Sequence, residues 1–521
     1  MTQNKIPQFP KPYWLDSINL PEFKQLNEDL EVDVVIVGGG ITGIQTAYLL
    51  VKEGIKVALL DAGKLLNGTT GHTTAKITAQ HDIIYDEIIS HFGINKARLY
   101  YEASINAMNF IKNTINELTI DCDFSEQDAY LYTTEEQSIQ KMEKEFQAYQ
   151  KLNIEGNIIN EIPFDIKIYK GLVMKNQAQF HPLKYLASLV KEITNNGGLI
   201  FENTTAVNIE RDENKATVLT RDGQRVTGNG VLCCSHFPFY EGTGFYFTRL
   251  HADRSYVLAA KTKMQYPGGM YLSIDKPNRS IRYTPIDGEN LLIIGGESHK
   301  SGQGVDTTEH YKALEKFTKE VFNIDQFDYR WSTQDLATLD KVPYVGEITS
   351  GVHNVLIATG YRKWGMTNGT AAAMLLADMA LNKDNPYHSV YTPSRFYADP
   401  SLQKFFKENI DVAKHLIKGK LEVPDKSPEE LANDEGAVVT IKGARKGAYR
   451  DTEGTLHIVD TTCTHMGCEL NWNDGERTWD CPCHGSRFSY KGEVVEGPAE
   501  KPLQRDDYTM FENFTSEKSG Y

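Results

Sequence analysis

Cysteine is scarce in this sequence, with seven residues among 521, yet four of them crowd between Cys463 and Cys483. Such clustering in an otherwise cysteine-poor chain implies a metal site. Long apolar runs are also missing. Hydrophobic residues make up 40% and charged residues 24%, an ordinary globular mixture with nothing long enough to span a bilayer. The opening MTQNKIPQFPKPYWLDS has one early lysine and no continuous apolar stretch. It does not resemble a secretory signal, and the chain is expected in the cytoplasm. There is no excess of positive charge either: a formal charge of -15 argues against general binding to nucleic acid or anionic membranes. The length suffices for two or more cores.

The stretch Val34 to Asp61, VVIVGGGITGIQTAYLLVKEGIKVALLD, reads as strand, glycine turn, helix and second strand of one βαβ unit. Gly38, Gly40 and Gly43 fit G-x-G-x-x-G. The first glycine permits the tight turn, the second lets a pyrophosphate approach the backbone, and the third lets helix pack close on strand. The helix N-terminus then faces the phosphates. Asp61 ends the second strand, where a carboxylate binds ribose hydroxyls. No second G-x-G-x-x-G follows a strand, which argues against a built-in NAD(P)H site.

After this unit comes a small polar loop, GTTGHTTAKITAQH, from Gly68. Unit and loop together resemble the glycine oxidase, sarcosine oxidase and D-amino-acid oxidase superfamily of FAD enzymes, in which the loop runs along the cofactor. The resemblance implies cofactor contacts from Thr69, Thr70 and His72. His72 matches the position at which dimethylglycine-dehydrogenase-like members tether FAD covalently, although Gly71 stands where they have tryptophan. Two roles are open to it: a tether, or a histidine that only lines the ring. The second cofactor signature is VLIATGYRKWGMTNG, Val355 to Gly369, before a small-residue helix. Gly360, Gly365, Met366 and Thr367 fall where backbone approaches the flavin. A helix N-terminus there stabilises negative charge on the reduced ring. Lys363 is the choice for flavin tuning, with a surface lysine as the alternative.

Between these signatures, Gly198 to Ile209, Ala216 to Leu219 and Gly230 to Cys234 are strand candidates expected to extend the FAD sheet. Vicinal Cys233 and Cys234 lack C-x-x-C spacing and read as inert. From about Phe245 to Tyr344, runs such as YVLAAKT, SIRYTP and NLLIIGG alternate apolar and polar positions, suggesting an antiparallel sheet. In the resembling family such a sheet roofs the flavin. Arg282 and Tyr283 are candidates to hold a substrate carboxylate by fork and hydroxyl. The alternative is a solvated cross-strand arginine.

The C-terminal motif is Cys463-Thr-His465-Met-Gly-Cys468 and Cys481-Pro-Cys483-His484-Gly-Ser486. It resembles the Rieske [2Fe-2S] pattern, in which two cysteines hold one iron and two histidines the other. That implies Cys463, His465, Cys481 and His484 as ligands. A tetrahedral zinc module is the alternative, but zinc would not explain Cys468 and Cys483. In cytochrome bc-type Rieske proteins the cysteines at these positions form a disulfide. Ser486 matches the hydroxyl that hydrogen-bonds a bridging sulfide, and Phe488 replaces an expected tyrosine. The resemblance thus implies a potential below the top of the Rieske range.

The expected fold is an α/β FAD-binding, Rossmann-like domain interleaved with an antiparallel-sheet substrate domain (α+β), followed by a small all-β Rieske domain. The boundaries are 1–385 for the FAD-dependent oxidoreductase, 386–420 for a linker and 421–521 for the Rieske domain. The resemblance implies dehydrogenation of a small amine or amino acid, N-methylated ones included, with electrons leaving singly through the cluster to an unidentified acceptor. The same residues serve a reductase in which a one-electron donor feeds the cluster, or a non-catalytic redox sensor. A Rieske oxygenase would need a two-histidine, one-carboxylate iron site, and no D-x-x-H-x(3 to 5)-H arrangement occurs.

Overall fold

The computed structural model describes residues 5–242, 244–304, 306–395, 398–421 and 426–506, with backbone alone at 398–400, 402–403 and 417–421. Residues 507–521, which the sequence reading includes in the C-terminal domain, lie outside the described residues. The chain forms two compact units. The first takes in described residues up to Leu250 together with 254–298 and 311–404, the second 251–253, 299–310 and the described residues from Phe405 onward.

In the first unit, short apolar runs become the buried strands of a six-stranded sheet. Its order is Tyr344–Glu347, Val355–Thr359, Gly230–Cys233, Val34–Val37, Val57–Leu60, Leu199–Phe201. All neighbours are parallel except the first pair. Strands covered on both faces read as unbroken apolar runs, and VVIV and VALL are buried at every position. The helices Ile41–Lys52, Pro182–Asn195 and Gly365–Ala380 carry mostly buried residues.

Ala206–Arg211 and Ala216–Thr220 do not extend this sheet. They pair antiparallel with each other and join Arg225–Gly228 and Leu30–Glu31 in a separate four-stranded sheet. Successive strands joined by tight turns pair with one another, whereas insertion into a parallel sheet needs a crossover. The alternating runs from Leu250 onward do form a sheet, of nine strands, and it is mixed. Met270–Ser273 runs antiparallel to Arg279–Ile286 but parallel to Ser125–Thr133.

In the second unit two four-stranded sheets pack together. One is Glu435–Ile441, Ala444–Arg450, Leu456–Asp460 and Arg505–Asp506, the other Asn471–Asn473, Thr478–Asp480, Arg487–Ser489 and Val494–Glu496. Trp479, Phe488 and Leu470 fill the core beside Cys463, Cys468 and Cys481. The stretch read as a linker contains the long helix Ala398–Leu421. The segment 299–310, far upstream, belongs to this unit. The Gly302 carbonyl accepts from Asn471 Nδ2 at 2.8 Å, Gln303 donates to the Pro482 carbonyl at 3.1 Å, and Thr307 donates to Asn473 at 2.6 Å. Nothing larger than glycine fits at 302, where a Cβ would lie 2.6 Å from the Cys481 and Pro482 backbone.

Within the first unit one buried acid is a structural support. Glu145 accepts N–H groups of Ile84, Tyr85 and Asp86 at 3.1, 3.0 and 2.9 Å, covering the start of the helix Tyr85–Phe92. Helix starts leave such donors unpaired unless something caps them. Glu145→Ala strands three N–H groups and should cost about 3 kcal/mol, read as a lowered melting temperature. Glu145→Gln keeps an acceptor and should lose clearly less.

Candidate functional sites

The first site is assembled around the glycine turn. At Gly43 a Cβ would lie 1.9 Å from the Gly38 carbonyl oxygen, and at Gly38, with φ +113°, it would lie 2.4 Å from the Cys234 carbonyl. Helix, turn and neighbouring strand therefore touch backbone to backbone. Asp61 takes the N–H of Gly39 on one carboxylate oxygen at 2.7 Å and of Gly63 on the other at 2.8 Å. Each oxygen keeps lone-pair capacity for a ribose hydroxyl. Burial raises the pKa of this carboxyl, and the two N–H groups oppose that. Gly39 is a position sequence reasoning missed: a Cβ there would lie 2.3 Å from the Leu65 side chain. The signal was the run of three glycines.

The loop Thr69–His72 forms a short 3-10 turn over the helix start. Thr70 Oγ1 accepts the Ile41 N–H at 3.1 Å, and Thr69 donates to the Gln334 carbonyl at 3.0 Å. His72 Nδ1 lies 2.9 Å from the Gly68 carbonyl, and the His72 carbonyl accepts from Trp331 Nε1 at 2.8 Å. Gly71 is packed against the Leu66 carbonyl, 2.5 Å from a hypothetical Cβ, which is why no tryptophan stands there.

The second signature lies where the sequence places it. Val355–Thr359 ends at Gly360, with φ +81°, and the helix Gly365–Ala380 follows without a side-chain cap. Met366 and Thr367 are buried, and Thr367 Oγ1 both donates to the Thr78 carbonyl at 2.8 Å and accepts the Thr78 N–H at 3.0 Å. Trp364 stacks on His81 at 5.2 Å. Burial, then Arg362, holds the His81 pKa down to about 3, so the ring is neutral, between the Tyr100 hydroxyl and the Thr78 carbonyl. Lys363 is no surface lysine: its Nζ donates to Ser255 and Ser298 at 2.5 and 2.6 Å. Those serines, on two sheet strands, carried no signal in the sequence.

Arg282 and Tyr283 require a correction. Neighbours on a strand point to opposite faces, so the two cannot grip one carboxylate. Arg282 is buried and gives N–H groups to the carbonyls of Thr74, Ala75 and Tyr283 at 2.7 to 3.1 Å. It braces the cofactor loop. Tyr283 packs on Tyr266, ring centroids 4.5 Å apart. Cys233 and Cys234 are buried with thiol pKa values pushed up by burial, that of Cys234 to about 12, which leaves them unreactive.

The second site consists of two loops of the same design. In each, the cysteine N–H bonds the carbonyl five residues on, Cys463 to Cys468 and Cys481 to Ser486, both at 2.8 Å. A glycine four residues on, Gly467 or Gly485, takes a left-handed φ of 74° or 79° and returns its N–H to the cysteine carbonyl. The turns aim the Cys463 and Cys481 thiols at each other. Cys463 is drawn down by its hydrogen bond to Cys481, with N–H groups of His465 and Met466 and the Ser486 hydroxyl helping. Cys481 is pushed up by that same shared bond and by burial. His465 and His484 stand edge to face at 5.1 Å. Burial lowers both imidazole pKa values, His484 to about 4, which keeps them neutral, as metal ligation needs. Cys468 and Cys483 are joined in a disulfide. The sulfurs of Cys468, Cys481 and Cys483 also lie within 4.8 Å of one another, but two of them are spent on that bond. Two opposed thiols, two neutral imidazoles and N–H groups aimed at sulfur fit a Rieske cluster.

Fold and sites together define an FAD-type oxidoreductase with a Rieske centre. Residues 33–379 match the FAD dependent oxidoreductase family (DAO), and residues 422–507 match the Rieske [2Fe-2S] domain. The chain belongs to the FAD dependent oxidoreductase family and ends in a Rieske domain; the former domain binds FAD and the latter a 2Fe-2S cluster. It is 54% identical over 505 residues to the putative Rieske 2Fe-2S iron-sulfur protein YhfW of Bacillus subtilis (strain 168), covering 97% of this chain and 99% of that one. Gamma-glutamylputrescine oxidoreductase of Escherichia coli (strain K12) is 25% identical over 378 residues, 68% of this chain and 85% of the relative. Among solved structures, glycine oxidase from Geobacillus kaustophilus superposes with a TM-score of 0.60 at 17% identity, over 70% of this chain and 99% of that one. No described helix is long and apolar enough to cross a membrane.

Gly43→Ala puts a methyl into the Gly38 carbonyl and should leave purified protein with little or no FAD. Its Rieske absorbance and iron content should match wild type, because that donor set is built within the other unit.

Proposed function

We propose that this chain dehydrogenates a small amine or amino acid, N-methylated ones included, and passes the electrons on singly to an acceptor. The carrying observation is the pairing, on one chain, of a DAO domain with a complete Rieske donor set. Bound FAD supplies two-electron hydride acceptance, and a 2Fe-2S cluster supplies one-electron transfer. Support for the substrate class comes from relatives whose names carry amines, gamma-glutamylputrescine in one and glycine in the other.

In this reading Gly38, Gly40 and Gly43 admit the pyrophosphate, Asp61 takes the ribose, and Thr69, Thr70, Gly360, Gly365, Met366 and Thr367 line the cofactor. Lys363, fixed by Ser255 and Ser298, sets a positive charge beside the flavin loop, where it favours an anionic reduced ring. Cys463 and Cys481 bind one iron, His465 and His484 the other. Phe488 offers no hydroxyl, so the cluster potential lies below the top of the Rieske range. The chain works in the cytoplasm, with the FAD-dependent part ending near residue 385 and the Rieske part beginning near 421.

FAD is held without a covalent bond, with His72 lining it. Acid precipitation should therefore leave the yellow colour in the supernatant. A yellow pellet that turns colourless in His72→Ala would make His72 the tether.

The function is tested by anaerobic mixing with amines and N-methyl amino acids. A substrate should bleach the flavin absorbance of wild type and then reduce the cluster. His484→Ala should lose the cluster, keep FAD and still bleach, but reduce a one-electron acceptor far more slowly. Undiminished turnover with that acceptor would remove the Rieske domain from the path. If instead external donors reduce wild-type flavin only through an intact cluster, and no amine bleaches it, the chain runs as a reductase.

A further inference from the structure

Three cations outside the roles above gather beside the flavin loop. The turn 338–343 and the loop 360–364 are tied by the Arg362 N–H to the Leu336 carbonyl at 3.0 Å and by a bridge between Ala337 and Tyr361. In the turn Lys341 has φ 66°, and in the loop Arg362 and Lys363 have φ 46° and 67°. Non-glycine residues adopt this region at a cost, and such strain clusters where ligands bind. Lys341 Nζ meets Glu87 at 2.6 Å, on the helix Tyr85–Phe92. Arg362 gives one N–H to the His81 carbonyl at 2.7 Å, while its Nε is buried and has no hydrogen-bond partner among the described residues.

Lys404 is the third cation. Its pKa is lowered first by burial, then by Lys341, with Arg362 adding and Glu87 opposing. The remaining acid in reach, Asp340, is engaged by Arg395 through two bonds of 2.8 and 2.9 Å. Lys341, Arg362 and Lys404 thus share a single uncommitted carboxylate, Glu87. Partly buried like charges repel, and an anion placed among them relieves that repulsion while satisfying the Arg362 Nε.

We propose that Lys341, Arg362 and Lys404 form a binding site for a carboxylate. On the functional reading above, on which this last step rests, the carboxylate is carried by the substrate. A guanidinium and two ammonium groups suit it, since charge-assisted bonds to carboxylates are the strong ones.

The test is isothermal titration of the FAD- and cluster-loaded protein with glutarate, a carboxylate with no amine to oxidise, and with uncharged glutaramide. Wild type should bind glutarate saturably at one site and give no binding heat with glutaramide. Lys404→Gln should weaken glutarate about tenfold, the worth of one charge-assisted bond. Lys404→Arg should retain binding, and Glu87→Gln, which removes the competing carboxylate, should tighten it. FAD content and cluster absorbance check that each variant is folded. Absence of saturable glutarate binding to wild type, or one unchanged constant across Lys404→Gln and Glu87→Gln, overturns the site. Amine oxidation plays no part in the readout, so failure of the dehydrogenase reading and failure of this site are separate results.

Discussion

Everything in the flavin half hangs on the backbone contact at Gly43, where no Cβ fits beneath the Gly38 carbonyl. That contact lets the helix Ile41–Lys52 sit directly on its strand, so the helix start and the glycine turn form one surface. The surrounding groups then have fixed places. The Cys234 carbonyl backs Gly38, Asp61 takes the N–H of Gly39, and Thr70 takes the N–H of Ile41. A side chain at 43 would push the helix away and misplace all three. The energetic logic is steric before it is electrostatic: the dipole and N–H groups matter only once the backbone can approach.

The cluster-type site follows a different economy. Its two loops repeat one hydrogen-bond pattern, each closed by a left-handed glycine four residues after its cysteine. The repeat brings two thiols face to face, and the disulfide between Cys468 and Cys483 ties the loops together. Burial keeps both histidines neutral. Those conditions suit metal ligation and would be costly for charged imidazoles.

The segment 299–310 shows how one chain spends sequence from one half on the other. It follows directly on Ser298, a partner of Lys363, and then supplies Gly302, Gln303 and Thr307 to the Rieske-type unit. Lys300 adds ion pairs to Glu408 and Asp411 at 2.7 Å each within that unit. The boundary drawn near residue 385 therefore describes composition, not packing.

By itself the sequence determined the glycine turn, the acid at the end of the second strand and the cysteine and histidine spacing, because each is a local device whose residues must lie at fixed short separations. It also implied the family and both cofactors. It did not determine which strands left the FAD sheet, where Arg282 sends its N–H groups, or that Lys363 is held by two serines. Period-two alternation already separated Arg282 from Tyr283, though only the packed sheet showed what each meets. The cation cluster was out of reach altogether: Lys341 and Glu87 are 254 residues apart. Such pairings depend on how distant segments pack, and side-chain chemistry alone carries no record of which partner burial will bring.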